Sequence, residues 1–332
     1  MPDSALYYPY IDVPEKESLN AVLLYWDRLG AIVPRPISPN SFTRELVETG
    51  LVAPIAPSDF LGMSATDFAH GFNDLLDALP PSTQPSAPIF IHVDKGLPEI
   101  WEMLRARGLA TRSPAESRAW RGRQGWVCVE GRAGALYMAY LASWLGSLPQ
   151  VDMEPITDQR RMFSAMGGMA RDYEDTTRFD RTRGALLEEI LPSPAQLIRP
   201  QELVAFKERH ESLLRGLRRQ VEQIVLKCAQ EPDPYLYARL VRAGQDELVD
   251  GVEEVRRRLA ERRWPTATGT FCAVLSGLPG VAGGVAAGKP AVGAAAGVVP
   301  LVIDFVRTRL SDPSAAAPPA ATYAVLAQEE FG

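Results

Sequence analysis

Residues 6–33, LYYPYIDVPEKESLNAVLLYWDRLGAIV, decide how the N-terminal half is read. Leu6-Tyr-Tyr-Pro-Tyr-Ile11 is aromatic and β-branched, which is the composition of a strand. Pro9 inside it predicts an edge position or a bulge, because proline has no N–H to give a ladder. From Glu17 to Leu29, the residues Leu19, Val22, Leu23, Trp26 and Leu29 recur at three- and four-residue spacings. That spacing predicts a helix with one buried face, flanked by Asp27 and Arg28. Ala31-Ile-Val33 then reads as a strand, closed by Pro34 and Pro36.

The same alternation continues along the chain. It predicts a helix from Thr43 to Thr49, the strand Leu51 to Ile55, a helix between Ser58 and Leu79, and a proline-rich loop from Pro80 to Pro88. Ile89-Phe-Ile-His-Val93 is the clearest strand, bounded by Pro88 and by the turn Asp94-Lys95-Gly96. Pro98 opens a helix Glu99 to Arg107, where its missing N–H costs nothing. Gly125 to Val129 reads as a strand, Ala133 to Leu145 as a helix with Leu136, Tyr137, Tyr140, Leu141 and Trp144 on one stripe, and Thr157 to Arg183 as polar and irregular. Strands alternating with helices give an α/β domain over residues 1–195.

From Pro200 onward the period changes. His210, Leu214, Leu217, Val221, Ile224 and Cys228 fall at spacings of four and three among charged residues, a narrow heptad seam. Pro232 and Pro234 interrupt it, and Leu248, Val252, Val255 and Leu259 continue the register, so an antiparallel helical hairpin follows. The fold class is therefore α+β, an N-terminal α/β domain followed by an all-helical domain over 196–310, with a mobile Ala/Pro-rich tail over 311–332.

The segment from Thr270 to Val306 holds only two charges, Lys289 and Asp304, and spaces small residues as Gly280, Gly284, Gly288 and again Gly293, Gly297. Glycines four apart share a helix face and allow close backbone approach, the interface chemistry of packed membrane helices. Arg256, Arg257, Arg258, Arg262 and Arg263 precede it, and Arg307 and Arg309 follow. A hairpin dipping into a bilayer would carry those flanks. Pro279, Pro290 and Pro300 cut the segment into halves shorter than the roughly 20 apolar residues that span a bilayer. Packing within a soluble helical domain is the favoured reading, and the arginine run is then a solvated face.

The chain has 332 residues, 46% hydrophobic and 23% charged, with net charge -6. Disorder is excluded, and the charge argues against a nucleic-acid binder working by bulk electrostatic attraction, while leaving room for local basic patches. No basic and apolar leader opens the sequence, and Cys128, Cys228 and Cys272 form no CxxC pair, so a cytoplasmic setting is expected. No GxSxG, GxGxxG, HExxH or phosphate-binding loop occurs, and no cofactor is assigned. The chemistry left to weigh sits at strand ends. His92 and Asp94 are two apart and point alike from the end of the clearest strand, offering a base and a carboxylate as a candidate catalytic pair. Asp94, Glu130 and Asp158, each after a strand, are a candidate metal-binding trio if their strand ends share a rim. Tyr7, Tyr8 and Tyr10 offer hydroxyls to a ligand, although aromatic residues at strand positions are more often packed.

Leu6-Tyr-Tyr-Pro-Tyr-Ile11, Ala21-Val-Leu-Leu-Tyr-Trp-Asp27, Ile32-Val-Pro34, Leu136-Tyr-Met-Ala-Tyr-Leu-Ala142 and Ile156-Thr-Asp158, with Phe206-Lys-Glu-Arg-His210 and Leu213-Leu214, resemble a family of uncharacterised bacterial proteins with an LYYPYI-type opening. The resemblance covers most of the chain. It implies a bacterial cytoplasmic protein with a place in antiphage defence, and it brings no catalytic residue with it. Three functions follow as expectations. The first is an interaction or scaffold subunit that binds protein partners. The second is an α/β enzyme such as a metal-assisted hydrolase using His92 and Asp94, and the third is a membrane-acting effector working through 270–306.

Overall fold

The computed structural model describes residues 3–79, 86–111, 125–158, 171–263 and 318–332. The chain divides into two compact units. One comprises Met1–Gly184 with Ser193–Arg209, the other Ala185–Pro192 with His210–Gly332.

In the first unit the chain runs β1 (Ala5–Tyr7), α1 (Ser18–Tyr25), β2 (Leu29–Ile32), α2 (Ser41–Glu48), β3 (Val52–Ile55) and α3 (Ala65–Asp77). It continues through β4 (Ile89–His92), α4 (Pro98–Ala106), β5 (Ala110–Thr111), β6 (Trp126–Val129), α5 (Gly131–Ser147) and β7 (Glu154–Ile156). The strands form two sheets: a parallel one in the order β3-β2-β1-β7, and an antiparallel one in the order β4-β6-β5. The α+β class expected from the pattern is the class observed.

Two local expectations are corrected. Proline in the opening run predicted an edge or a bulge. Instead β1 is a central strand, pairing Ala5 with Leu29 on one side and with Glu154 on the other. The ladder survives because the strand stops before Pro9, so the residue without an N–H lies beyond the pairing. Helix α1 ends at Tyr25 rather than Leu29, since Leu29 is the first residue of β2.

Helix starts follow their capping residues. Asn40 accepts the Thr43 N–H at 2.7 Å ahead of α2, and Glu130 accepts the N–H groups of Arg132 and Ala133 at 3.0 and 2.9 Å ahead of α5. Helix α5 is buried on nearly every side, so its apolar surface is wider than the single stripe its spacing suggests. Its Tyr137 meets α3 edge-to-face, with Phe72 and Tyr137 ring centres 5.1 Å apart, while Tyr140 lies tilted against Phe68 and Phe72. At its end Gly146 is required: a Cβ there would fall 2.3 Å from the Met153 carbonyl oxygen. The close turn carries the chain straight into β7.

The stretch expected to be irregular up to Arg183 overlaps α6 (Arg171–Ile190) from Arg171 onward. Its dense charge hides the period, and its apolar positions Leu186, Leu187 and Ile190 gather at the C-terminal end. Earlier in this helix, Arg183 is almost fully buried, pairs with Glu154 at 3.0 Å, and lies 5.1 Å over the Trp26 ring. The first unit is completed by α7 (Pro200–Arg209), whose Lys207 donates to the Trp26 and Asp27 carbonyls just past the end of α1.

The second unit contains α8 (Glu211–Ala229), α9 (Pro234–Arg263) and α10 (Pro319–Phe331). Leu214, Leu217, Val221 and Ile224 are buried on α8, and Leu248, Val252 and Val255 on α9, as the heptad spacing predicts. The Leu259 side chain lies outside the described residues. The two helices run antiparallel, with Gln220 donating to Glu247 at 3.0 Å and Gly244 leaving room for Ile224.

The tail expected to be mobile is α10 over most of its length. Ala320 to Ala327 are all buried, and the helix packs on both α8 and α9. Small side chains permit this: Gly251 and Ala321 approach so closely that an added Cβ would sit 3.3 Å from the Ala321 Cβ. The segment 270–306, with its glycine spacing and its membrane and packing readings, lies outside the described residues. Among those described, no helix is long and apolar enough to cross a membrane.

Candidate functional site

All four strands of the first sheet are parallel, so their carboxyl ends share one rim, the place where open α/β sheets hold ligands. After β7, Asp158 accepts the Tyr7 hydroxyl at 3.0 Å and the Lys16 ammonium at 2.7 Å. Burial, reinforced by the Asp158 charge, raises the Tyr7 hydroxyl well above the ordinary phenol range, so it stays a donor. The hydrogen bond to Asp158, and then its charge, hold Lys16 above its usual value. After β2 and β3, Arg35 pairs with Asp59 at 2.7 Å. Tyr10, in the loop after β1, is half exposed.

The turn Val93–Lys95 belongs to the same rim because it packs against the turn Pro57–Asp59 that follows β3. Lys95 is 3% exposed and donates to the Pro9 carbonyl at 2.9 Å. The Tyr137 hydroxyl in turn donates to the Lys95 carbonyl at 2.7 Å, which pins the turn to α5. Desolvation pushes the Lys95 ammonium from 10.5 down to about 7, against a smaller opposing pull from Asp12. In the sequence Lys95 reads only as part of Asp94-Lys95-Gly96, the turn that bounds a strand. Burial was its sole signal, and spacing does not report burial.

His92 and Asp94 are brought together, with Nδ1 3.6 Å from the carboxylate. The same Nδ1 accepts the Asp94 backbone N–H at 3.3 Å, which requires an unprotonated nitrogen. Burial lowers the His92 pKa further than the Asp94 charge raises it, in agreement with a neutral ring. The imidazole stands edge-on to Trp126 at 5.4 Å, and a Cβ on Gly125 would lie 2.8 Å from its Nε2. His92 thus caps a turn inside a close-fitting slot.

The expected metal trio is dispersed. β4 pairs antiparallel to β6 with His92 opposite Trp126 and Ile89 opposite Val129. Glu130 therefore leaves the sheet at the far end, about 13 Å along the strand direction from the His92 rung. There it caps α5 and accepts the Ser86 hydroxyl; burial would raise its pKa, but these hydrogen bonds outweigh burial and lower it. Asp158 lies after β7 with Tyr7 and Lys16. Among the described residues, no group of three His, Cys, Asp or Glu side chains is placed to hold a metal ion. The shared rim assumed in the sequence reading needed every strand to be parallel, and β4 and β6 are not.

No family model, curated protein or solved structure matches this chain.

Proposed function

We propose that the chain is an interaction subunit that docks a protein partner at the turn end of the α8–α9 hairpin. One observation carries this reading. Of the four large hydrophobic side chains exposed among the described residues, three flank that turn along the chain: Leu226, Tyr235 and Leu236. Scattered apolar residues need no explanation, whereas a local group does.

The group is held in place before any partner arrives. Asp233 accepts the N–H groups of Tyr235 and Leu236 at 2.7 and 3.1 Å, and Glu231 accepts the Asp233 N–H at 3.0 Å. The Arg239 guanidinium lies 6.0 Å over the Tyr235 ring. An aromatic anchor on a capped helix start loses little conformational entropy on binding, which is the property of interface residues that dominate affinity. The fitting partner presents an apolar pocket with a polar rim. The resemblance to LYYPYI-type proteins would place the assembly in antiphage defence.

The test is copurification with co-expressed genomic neighbours, followed by titration of whichever protein binds. The double variant Tyr235→Asp with Leu236→Asp should weaken binding at least about thirtyfold, the equivalent of one strong anchor at about 2 kcal/mol. Its melting temperature should match the parent, because both side chains face solvent. Unchanged affinity in the folded variant would refute the assignment of the docking surface.

A further inference from the structure

One face of α9 is left uncovered among the described residues. Gly244, Leu248, Val252 and Val255 turn inward, with Gly244 against Ile224 and Leu186. The opposite side carries Arg239, Arg242, Ala243, Asp246, Asp250 and Glu253, all exposed. At 3.6 residues per turn the charged members of this group fall within about 80° of one another, so they make a single stripe.

Charge is segregated along that stripe: Arg239 and Arg242 come first, then Asp246, Asp250 and Glu253. The residues three and four away from Asp250 on its own helix are Asp246, Glu247, Glu253 and Glu254, so no cation of α9 neighbours it at those spacings. Those three and four away from Arg239 include no carboxylate, and its guanidinium rests over the Tyr235 ring. Like charges at these spacings destabilise a helix. Other charges of the hairpin are neutralised locally, as Arg215 is by Glu211 and Arg257 by Glu254. Among the described residues no ion pair is formed by Arg239, Arg242, Asp246, Asp250 or Glu253.

We propose that α9 pairs with α9 of a second copy of this chain, antiparallel along the stripe. The charge pattern carries the argument because it is self-complementary. A twofold axis crossing the helix beside Gly244 sets Arg242 level with Asp246 of the second copy and Arg239 level with Asp250, each to within about 1 Å at the helical rise. A twofold contact is isologous, so both pairs occur twice. A parallel arrangement in register would set arginine against arginine and aspartate against aspartate. Ala243 lies near the axis, where its small side chain lets the two helices approach. Charge pairs on an exposed face contribute little singly and are screened by salt, so the dimer is reversible and salt-sensitive. The stripe starts beyond Tyr235 and Leu236, so this pairing and partner docking at the hairpin turn are tested by different variants.

Sedimentation equilibrium of the full-length protein is the test. At about 50 μM protein, the parent should be largely dimeric in about 0.05 M salt and shift toward monomer in about 0.5 M. Arg239→Glu with Arg242→Glu should weaken association at least about tenfold, as should Asp246→Arg with Asp250→Arg. An equimolar mixture of the two variants should associate again as a heterodimer, since every pair then joins opposite charges. Circular dichroism of both should match the parent, because all four side chains are exposed. A parent that stays monomeric at low salt would overturn the proposal, and so would a dimer that both variants leave intact. A monomeric parent whose protein partner is still lost with Tyr235→Asp and Leu236→Asp would overturn this pairing alone and leave the docking surface standing.

Discussion

Removing the Lys95 amine should change how stability depends on pH. The folded pKa of about 7 lies below the ordinary 10.5, so between those values the unfolded chain binds more protons than the native one. Stability must then rise with pH across that interval, and the penalty for burying the charge is fully present only below pH 7. Integrated from pH 7 to pH 9, these two values give a gain of about 2 kcal/mol for the parent. Three other shifted groups act outside this window. His92, with its lowered pKa, contributes stability that is lost only as pH falls through the histidine range, while Tyr7 and Tyr137, with raised values, contribute stability that is lost only above pH 10. Lys95→Met keeps the apolar stem and deletes the titration, so its unfolding free energy should be nearly flat from pH 7 to 9. Urea unfolding monitored by tryptophan fluorescence, at three pH values for both proteins, measures the difference. A parent that is already flat, or a variant that keeps the rise, would refute the buried-amine reading.

Two further outcomes test the remaining structure. Leu217→Asp places a charge in the fully buried seam of α8 and should cost on the order of 3 to 5 kcal/mol, seen as a large loss in thermal stability. Glu130→Ala removes the cap of α5 and should cost about 1 kcal/mol at neutral pH. Because hydrogen bonding depresses the Glu130 pKa, that difference from the parent should shrink as pH falls through the carboxylate range, which an acid titration of melting temperature checks.

Which parts of the fold could be read in advance depends on whether period or context sets them. The heptad positions Leu214, Leu217 and Val221 were legible because a buried helix face repeats at fixed intervals, and each is buried. Helix α10 was not legible, because Ala320 to Ala327 are apolar on all sides and show no stripe; only the close approach to Gly216 and Gly251 makes such a helix useful. Helix α6 failed for the opposite reason. Arg183 and its neighbours look like solvated loop, yet Arg183 is buried by its pairing with Glu154 and its stacking on Trp26, neither of which is near it in sequence.

The candidate site shows the same dependence in a sharper form. His92 does lie beside Asp94, but not through a two-residue offset on a strand: β4 ends at His92, and the turn Val93–Lys95, capped by the His92 ring, brings the carboxylate to it. Convergence of Asp94 with Glu130 and Asp158 depended on strand direction and sheet membership, and these come from pairings between distant segments. The antiparallel β4–β6 ladder sends Glu130 to one end and His92 to the other, while Asp158 leaves a different sheet. That same arrangement gives Lys95 its importance. The turn after β4 leaves its own sheet and packs against the turn after β3, so a lysine that looks like ordinary turn punctuation is buried against the Pro9 carbonyl at the rim of the parallel sheet. Solvated in a surface turn, the amine would stay protonated at neutral pH. Its lowered pKa follows from desolvation, which long-range packing imposes on it.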